Sequence, residues 1–225
     1  MNKSHPRPTV FFDFDNTITA WDVIDDMLTR FSCDDAWKEL ETKWTRGEIS
    51  AKACLERQME GLRLNPCALD DYLATIALDP SFKALLQMLD SQGIEIVILS
   101  DNFDYLIDRI LSCHGIRKVQ VVANKISFDD DRLVPSFPYQ SKHCTRCAHC
   151  KGETMLTRLP SHSTSVYLGD GLSDVCPAKR AHIVFAKDNL LAYLKGRALP
   201  HIPFKTLSDV IGYFEKDAPW LKSSL

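Results

Sequence analysis

The 225 residues carry a formal charge of -3, from 27 Lys and Arg against 30 Asp and Glu, and 45% of them are hydrophobic. That length allows one substantial core with a small module inserted in it, and the balanced charge leaves no basic excess to neutralise a nucleic-acid backbone or an anionic membrane surface. A small anionic metabolite, held by a few local cations, remains an allowed partner.

The opening stretch MNKSHPRPTVFF lacks the apolar segment of a signal peptide, and no apolar run approaches the ~20 residues of a membrane span. The expectation is a cytoplasmic protein with neither membrane nor nucleic acid as partner. Eight cysteines without a secretory signal read as reduced thiols or metal ligands rather than as a disulfide framework.

In chain order, the first clear element is TVFFDFDNT, an apolar run that ends abruptly in acidic and hydroxyl residues. It reads as a buried strand emptying into a polar loop. Residues 21–78 then hold helical patterns and no convincing strand: WDVIDDMLTRF, DAWKELETKW, AKACLERQMEGL and LDDYLATIA, four short helices in one block. Asp79, Pro80 and Ser81 punctuate the return, with a Pro able to start a helix that Asp or Ser caps. IEIVILSDN repeats the strand-then-acid pattern, and Phe103, Leu106, Ile107, Ile110 and Leu111 follow it as one helical stripe. VQVVANK is a further strand, KISFDDDRLVPSF a hairpin turning at its acidic centre, TSVYLGDGLSD a third strand ending in acids, and HIVFAK another strand. Strands alternating with helices predict an α/β fold, a Rossmann-like parallel sheet flanked by helices. The core would comprise residues 1–20 and 79–225, with 21–78 a small helical-bundle cap placed directly after the first polar loop.

Ligands of open α/β sheets bind outside the carboxyl ends of the strands, where this sequence concentrates its acids, so the three polar clusters should meet. Asp13 and Asp15 lie two apart on an extended segment and leave it on the same side, while Phe12 and Phe14 point into the core. With Asp170 and Asp174 added, the carboxylates would repel one another unless a cation sat among them. A hard, oxygen-seeking ion such as Mg2+, bound by carboxylates, phosphate oxygens and water, answers that need. A lone Asp-x-Asp is usually a turn or a cap; three such clusters, two of them followed by helix starts that point amides at an anion, indicate phosphate chemistry.

DFDNT, SDN, a following Lys and GDGLSD, in that order, resemble the four motifs of the haloacid-dehalogenase superfamily of phosphohydrolases. The resemblance spans nearly the whole chain and implies hydrolysis of a small phosphate monoester through a phospho-aspartyl intermediate. By it, Asp13 is the nucleophile and Asp15 the general acid and base. The backbone carbonyl of Asp15 and the carboxylates of Asp13 and Asp170 would bind Mg2+, with Asp174 completing that shell or orienting the Lys. Ser100 would hydrogen-bond the transferring phosphoryl group and Lys151 would neutralise it. Lys151 is preferred to Lys142 and Lys179 because it opens KGETMLTRL some twenty residues before Asp170. Thr17, on the same face, would hold the loop or hydrogen-bond Asp13.

The insertion between the first two motifs resembles the phosphoserine-phosphatase-like branch. Motif two reads SDNFD where phosphoserine phosphatases carry Ser-Gly-Gly, so Asp101 and Asn102 offer side chains to the substrate. Asp22 falls where that branch places an acid near the substrate's far end, and it also suits a helix cap. Trp37 and Trp44 are expected to pack the interior of the insertion. The segment HCTRCAHCK resembles the 2-hydroxy-3-keto-5-methylthiopentenyl-1-phosphate phosphatases of methionine salvage and their phosphocholine and pyridoxal-phosphate phosphatase relatives; phosphoserine is the other candidate substrate. In the same segment, Cys144, Cys147 and Cys150 with His143 would supply a tetrahedral structural zinc site, against the simpler reading of free thiols.

Rival classes fare less well. No Cys is followed by Arg six positions later, so a thiol phosphatase cradle is absent. A dehalogenase needs no acid such as Asp15 to protonate an alkoxide, and Asp15 with the large insertion also disfavours a phospho-aspartyl signalling module. Phosphomutases share the same motifs. A zinc knuckle for nucleic acid lacks the basic stripe with interleaved aromatics.

Overall fold

The computed structural model describes residues 7–217; the opening segment read for a leader begins in residues 1–6, outside the described residues. Seven strands form one sheet in the order β4-β3-β2-β1-β5-β6-β7. They are β1 (Thr9–Phe12), β2 (Glu95–Phe103), β3 (Gln120–Asp129), β4 (Arg132–Ser136), β5 (Ser165–Gly169), β6 (Ile183–Ala186) and β7 (Ile202–Pro203). All pairings are parallel except that of β3 with β4. The α/β expectation holds. Two boundaries differ from the sequence reading: VQVVANK and KISFD run together as the single strand β3, and β2 continues through Ser100, Asp101 and Asn102, with a register irregularity between Ser100 and Phe103. The pairing partners of β2 extend past its apolar run, so the strand outlasts the hydrophobic signal that marks it.

Alternate residues serve opposite faces, as the pleat requires. Val10, Phe12, Ile98, Val166 and Leu168 join one apolar cluster, whereas Phe11, Val97, Leu99 and Tyr167 join a second. The first face is covered by α5 (Phe82–Ser91), α6 (Asp104–Cys113) and α10 (Leu207–Asp217), and the second by α7 (Lys151–Arg158). The stripe of Phe103, Leu106, Ile107, Ile110 and Leu111 is wholly buried. Near the other edge, α8 (Val175–Ala178) and α9 (Asp188–Lys195) pack with β6 around Val184, Ala186 and Leu190.

Between β1 and α5 the chain forms α1 (Val23–Phe31), α2 (Ala36–Thr45), α3 (Ala51–Glu60) and α4 (Pro66–Leu73), with no strand among them. Each start has a local cause. Asp22 accepts the Asp25 amide to cap α1, Ser50 accepts the Ala53 amide to cap α3, and Asn65 caps α4 with Pro66 behind it. The apolar faces of α1, α3 and α4 are continuous with the sheet's first cluster, through Phe14, Ile18, Val23, Met27 and Leu28. The β3–β4 hairpin reaches over to the same helices, where the Leu64 amide donates to the Asp131 carbonyl at 2.8 Å. No helix among the described residues is long and apolar enough to cross a membrane.

Asp79 closes the insertion. Its amide donates to the Ile18 carbonyl at 2.8 Å, while its carboxylate accepts the Ser81 amide at 2.8 Å and the Leu207 amide at 3.0 Å. The helix-start cap predicted for this turn falls to Asp79, since Ser81 makes no side-chain cap bond. Asp79→Ala removes a charged acceptor from two amides and is expected to cost about 2 kcal/mol, read as a lower urea midpoint with an unchanged slope.

Candidate active site

The order of the sheet reverses at β1: the chain goes from β1 outward to β2 and β3, then returns to β5 on the opposite flank. Such a switch point leaves a crevice at the carboxyl ends of the strands. A cavity of about 310 Å³ opens there, walled on the sheet side by Asp13, Asp15, Ser100, Asp101, Asn102, Lys151 and Asp170. The three polar clusters of the sequence do meet.

Lys151, the first residue of α7, is buried. Its Nζ donates to Asp13 Oδ1 at 2.5 Å, to Asp174 Oδ1 at 2.8 Å and to Ser173 Oγ at 3.3 Å. Burial opposes its charge, but the carboxylates of Asp13 and Asp174 outweigh that and hold its pKa well above the ordinary lysine value. Lys179, the discarded alternative, stacks on the Tyr193 ring elsewhere.

Asp174 accepts four hydrogen bonds: from Lys151 and the Tyr167 hydroxyl (2.6 Å) on Oδ1, and from the amides of Asp170 (3.1 Å) and Gly171 (3.0 Å) on Oδ2. That uses the four acceptor positions of a carboxylate. A Cβ at position 169 would lie 2.5 Å from Asp174 Oδ2, so only glycine lets the end of β5 approach it. The sequence reading left Asp174 between ligating a metal and orienting the Lys; its bonds are those of an orienting group.

Asp13, Asp170 and Asp174 bring oxygens within 4.8 Å of one another, the one such set of three His, Cys, Asp or Glu side chains among the described residues. Burial, then the charge of Asp174, raises the pKa of Asp13 well above the usual carboxylate range, and the same two causes push Asp170 up to about 7. Several buried acids share the site with one lysine, and a hard divalent cation fits the charge and oxygen donors that result. Thr17 donates to Asp170 at 3.4 Å rather than to Asp13.

Asp15 stands apart from this set. Its carboxylate accepts the Val23 amide at 2.9 Å, and the Asn102 side-chain amide donates to both of its oxygens, at 3.1 and 2.9 Å. Burial and the neighbouring Asp22 raise its pKa well above the ordinary value. Asn16 takes a positive φ of 54°, which Asn tolerates better than most residues and which lets the loop turn back toward α1.

The second motif divides its labour. Ser100 Oγ accepts the Asn102 amide at 3.0 Å, leaving its own proton to donate into the cavity. Asp101 and Asn102 line the cavity as expected, but their side chains are engaged within the protein: Asp101 Oδ1 accepts the His149 amide at 2.9 Å, and Asn102 holds Asp15. Asp22 both caps α1 and lines the cavity.

The cysteine run gathers no four-ligand site. Cys144 and Cys147 sulfurs lie 3.6 Å apart, His143 is exposed, and none of this run joins a set of three close ligands. All eight cysteines are free thiols. The histidine that matters there is His149, which the reading of the sequence did not single out. It is buried, with Nδ1 at 2.9 Å from the Ser100 carbonyl and Nε2 at 2.9 Å from Thr154 Oγ1. Tyr167 was also missed, being concealed in an apolar strand pattern.

The far wall of the cavity comes from the helices: Asp22 and Asp25 at the start of α1, Glu41 and Trp44 on α2, and Gln58 on α3. Trp44 thus lines the cavity, contrary to the packing role expected for it, while Trp37 does pack against the core. Glu41 accepts from Gln58 at 3.4 Å. Burial, then Asp25, pushes Asp22 up to about 6; burial, then Glu41, does the same for Asp25. No spacing rule links these residues in the sequence.

Comparison with known proteins agrees with this geometry. Residues 9–190 match the model of the family described as "Putative Phosphatase". The chain is 27% identical over 206 residues to a 2-hydroxy-3-keto-5-methylthiopentenyl-1-phosphate phosphatase of Brevibacillus brevis, covering 90% of this chain and 92% of that protein. Identity is also 27% to the same-named protein of an Exiguobacterium species, over 92% of this chain and 96% of the relative. Among solved structures, a substrate-bound phosphoserine phosphatase complex superposes with a TM-score of 0.72 at 18% identity, over 92% of this chain and 98% of the other.

Burial depresses the pKa of His149 to about 4, below the ordinary 6.5. The neutral ring therefore contributes its full stability above pH 6.5 and loses it as pH falls toward 4, because the unfolded chain binds the proton first. The stability difference between wild type and His149→Gln should shrink across that window by on the order of 3 kcal/mol, measured by urea unfolding at a series of pH values.

Proposed function

The chain belongs to the phosphatase family whose model spans residues 9–190, a branch of the haloacid-dehalogenase superfamily, and on that premise we propose that it hydrolyses a small phosphate monoester in a Mg2+-dependent reaction through a phospho-aspartyl intermediate on Asp13. The observation that carries this reading is the buried contact of Lys151 with Asp13 at the mouth of β1. Residues 21–78 act as a cap over a core formed by 1–20 and 79–225, and they close the cavity from the side opposite the strands.

Asp13 attacks phosphorus, and the bond to the leaving oxygen breaks as Asp15 delivers its proton. Burial and the charge of Asp22 raise the proton affinity of Asp15, which favours the acid form that this step needs. In the second half, Asp15 takes a proton from water, which attacks phosphorus and releases Asp13. Lys151 neutralises charge on the phosphoryl oxygens and Ser100 donates to them, the electrostatic work on which phosphoryl transfer depends. Asn102 fixes the direction of Asp15, and Asp174 that of Lys151, so both are positioning residues. A Mg2+ ion held by Asp13, Asp170 and the Asp15 carbonyl would supply further positive charge at the phosphoryl group.

The methylthiopentenyl phosphate ester is the substrate that the named relatives suggest. A second reading, a phosphate ester with a cationic group such as phosphocholine or the amine of phosphoserine, is favoured by the far wall, where Asp22, Asp25, Glu41 and the Trp44 ring face the cavity. No second cation lies among the residues lining the cavity. All eight cysteines being thiols fits a reducing, cytoplasmic setting.

Phosphate release from a panel of methylthiopentenyl phosphate, phosphocholine, phosphoserine and pyridoxal phosphate should proceed with Mg2+ and cease with EDTA. Asp13→Asn should lower kcat by about 10⁴ or more while leaving thermal unfolding intact; near-wild-type turnover in this variant would end the mechanism. Transfer of phosphate to a second hydroxyl, in place of release, would reveal a mutase. Glu41→Gln distinguishes the substrates: kcat/KM should fall about tenfold for the cationic esters and stay level for the methylthio ester.

A further inference from the structure

The loop that runs from β4 to α7 touches both halves of the site. At its end His149 and Lys151 engage Ser100 and Asp13. In its middle, the Arg146 carbonyl accepts the Ala51 amide at 2.8 Å, at the first residue of α3, and the Arg146 guanidinium packs against Gly47. Cys144 and Cys147 flank this Arg, their sulfurs 3.6 Å apart and half-buried.

We propose that Cys144 and Cys147 form a thiol–disulfide site, whose oxidation releases the grip of Arg146 on the start of α3. The two thiols are unequal in the way such chemistry requires. Burial works against ionising Cys144, yet the Arg146 and Cys147 amides, the Cys147 thiol and the Arg146 charge aim at its sulfur and bring its pKa below the ordinary thiol value. Cys147 is pushed up to about 12 by burial, by its bond with Cys144 and by the charge of Asp101. Cys144 is thus the attacking thiolate, and Cys147 the thiol that resolves the product.

With hydrogen peroxide as oxidant, the Cys144 sulfur attacks one oxygen, the O–O bond breaks, and sulfenic acid and water are left. The Cys147 sulfur then displaces the hydroxyl, which departs as a second water with the Cys147 proton; two thiols are oxidised and one peroxide is reduced. The sulfurs must close to about 2.05 Å. That movement falls on the two residues between them, including the amide that points at Cys144 and the carbonyl that holds Ala51. Among the described residues, the exposed Cys33, Cys67 and Cys113 have no hydrogen-bonded sulfur beside them.

The test uses the full-length, Mg2+-supplemented protein, treated with hydrogen peroxide, mapped by peptide mass and followed by amide hydrogen exchange. A Cys144–Cys147 crosslink should form, reverse with dithiothreitol, and accelerate exchange of the Ala51 amide about tenfold. Cys147→Ser should show neither crosslink nor acceleration, and Cys176→Ser should behave as wild type. Exposed thiols oxidised while Cys144 and Cys147 stay unlinked would overturn the proposal, as would a crosslink that leaves Ala51 exchange unchanged. Neither readout depends on which phosphate ester the enzyme uses.

Discussion

The structure turns on a lysine ammonium buried between two carboxylates. Lys151 touches Asp13 after β1 and Asp174 after β5, and it stands at the start of α7, so three segments distant in sequence are tied at one atom. An unpaired charge at this depth would cost several kcal/mol. The pairing therefore fixes how these three segments meet at the end of the sheet, and it supplies a cation where a phosphoryl group would need one.

Around that cation the acids outnumber the bases. Asp174 is saturated by donors, Asp15 is held by Asn102 and the first amide of α1, and Asp13 and Asp170 remain with raised proton affinity. The arrangement separates the carboxylates by environment: one fixes the lysine, one is held by a neutral amide, and two keep oxygens close together beside the lysine. Different environments for chemically identical groups are how one site performs acid and base work at a single pH. The helical wall of the cavity repeats the pattern of crowded acids, now without a lysine.

Support for the site is continuous with the fold. His149 ties the Ser100 carbonyl to Thr154 on α7, and the same loop contacts the start of α3. The helices between β1 and α5 share the sheet's apolar cluster instead of owning a separate one. Their position over the crevice is thus fixed by packing through Phe14, Ile18 and Val23, immediately next to the residues that line the cavity.

By itself the sequence determined the strands that end in acids, the helical block between the first two motifs, the buried stripe of α6, and the set of Asp13, Asp15, Ser100, Lys151, Asp170 and Asp174. The strands, the helices and the carboxylates are local signals, since periodicity and an abrupt apolar-to-acidic transition are written along the chain; Ser100 and Lys151 came from the resemblance of the ordered motifs. The tertiary structure alone decided what each group faces. It turned Asn102 from a candidate substrate contact into the holder of Asp15, left the Cys144, Cys147, Cys150 and His143 set unassembled, made His149 a buried strut, and placed Trp44, Asp25 and Glu41 on the cavity wall. Those outcomes depend on contacts across many intervening residues and on which side of a short helix meets the crevice. No pattern along the chain specifies these, because they follow from how the helices dock on the sheet.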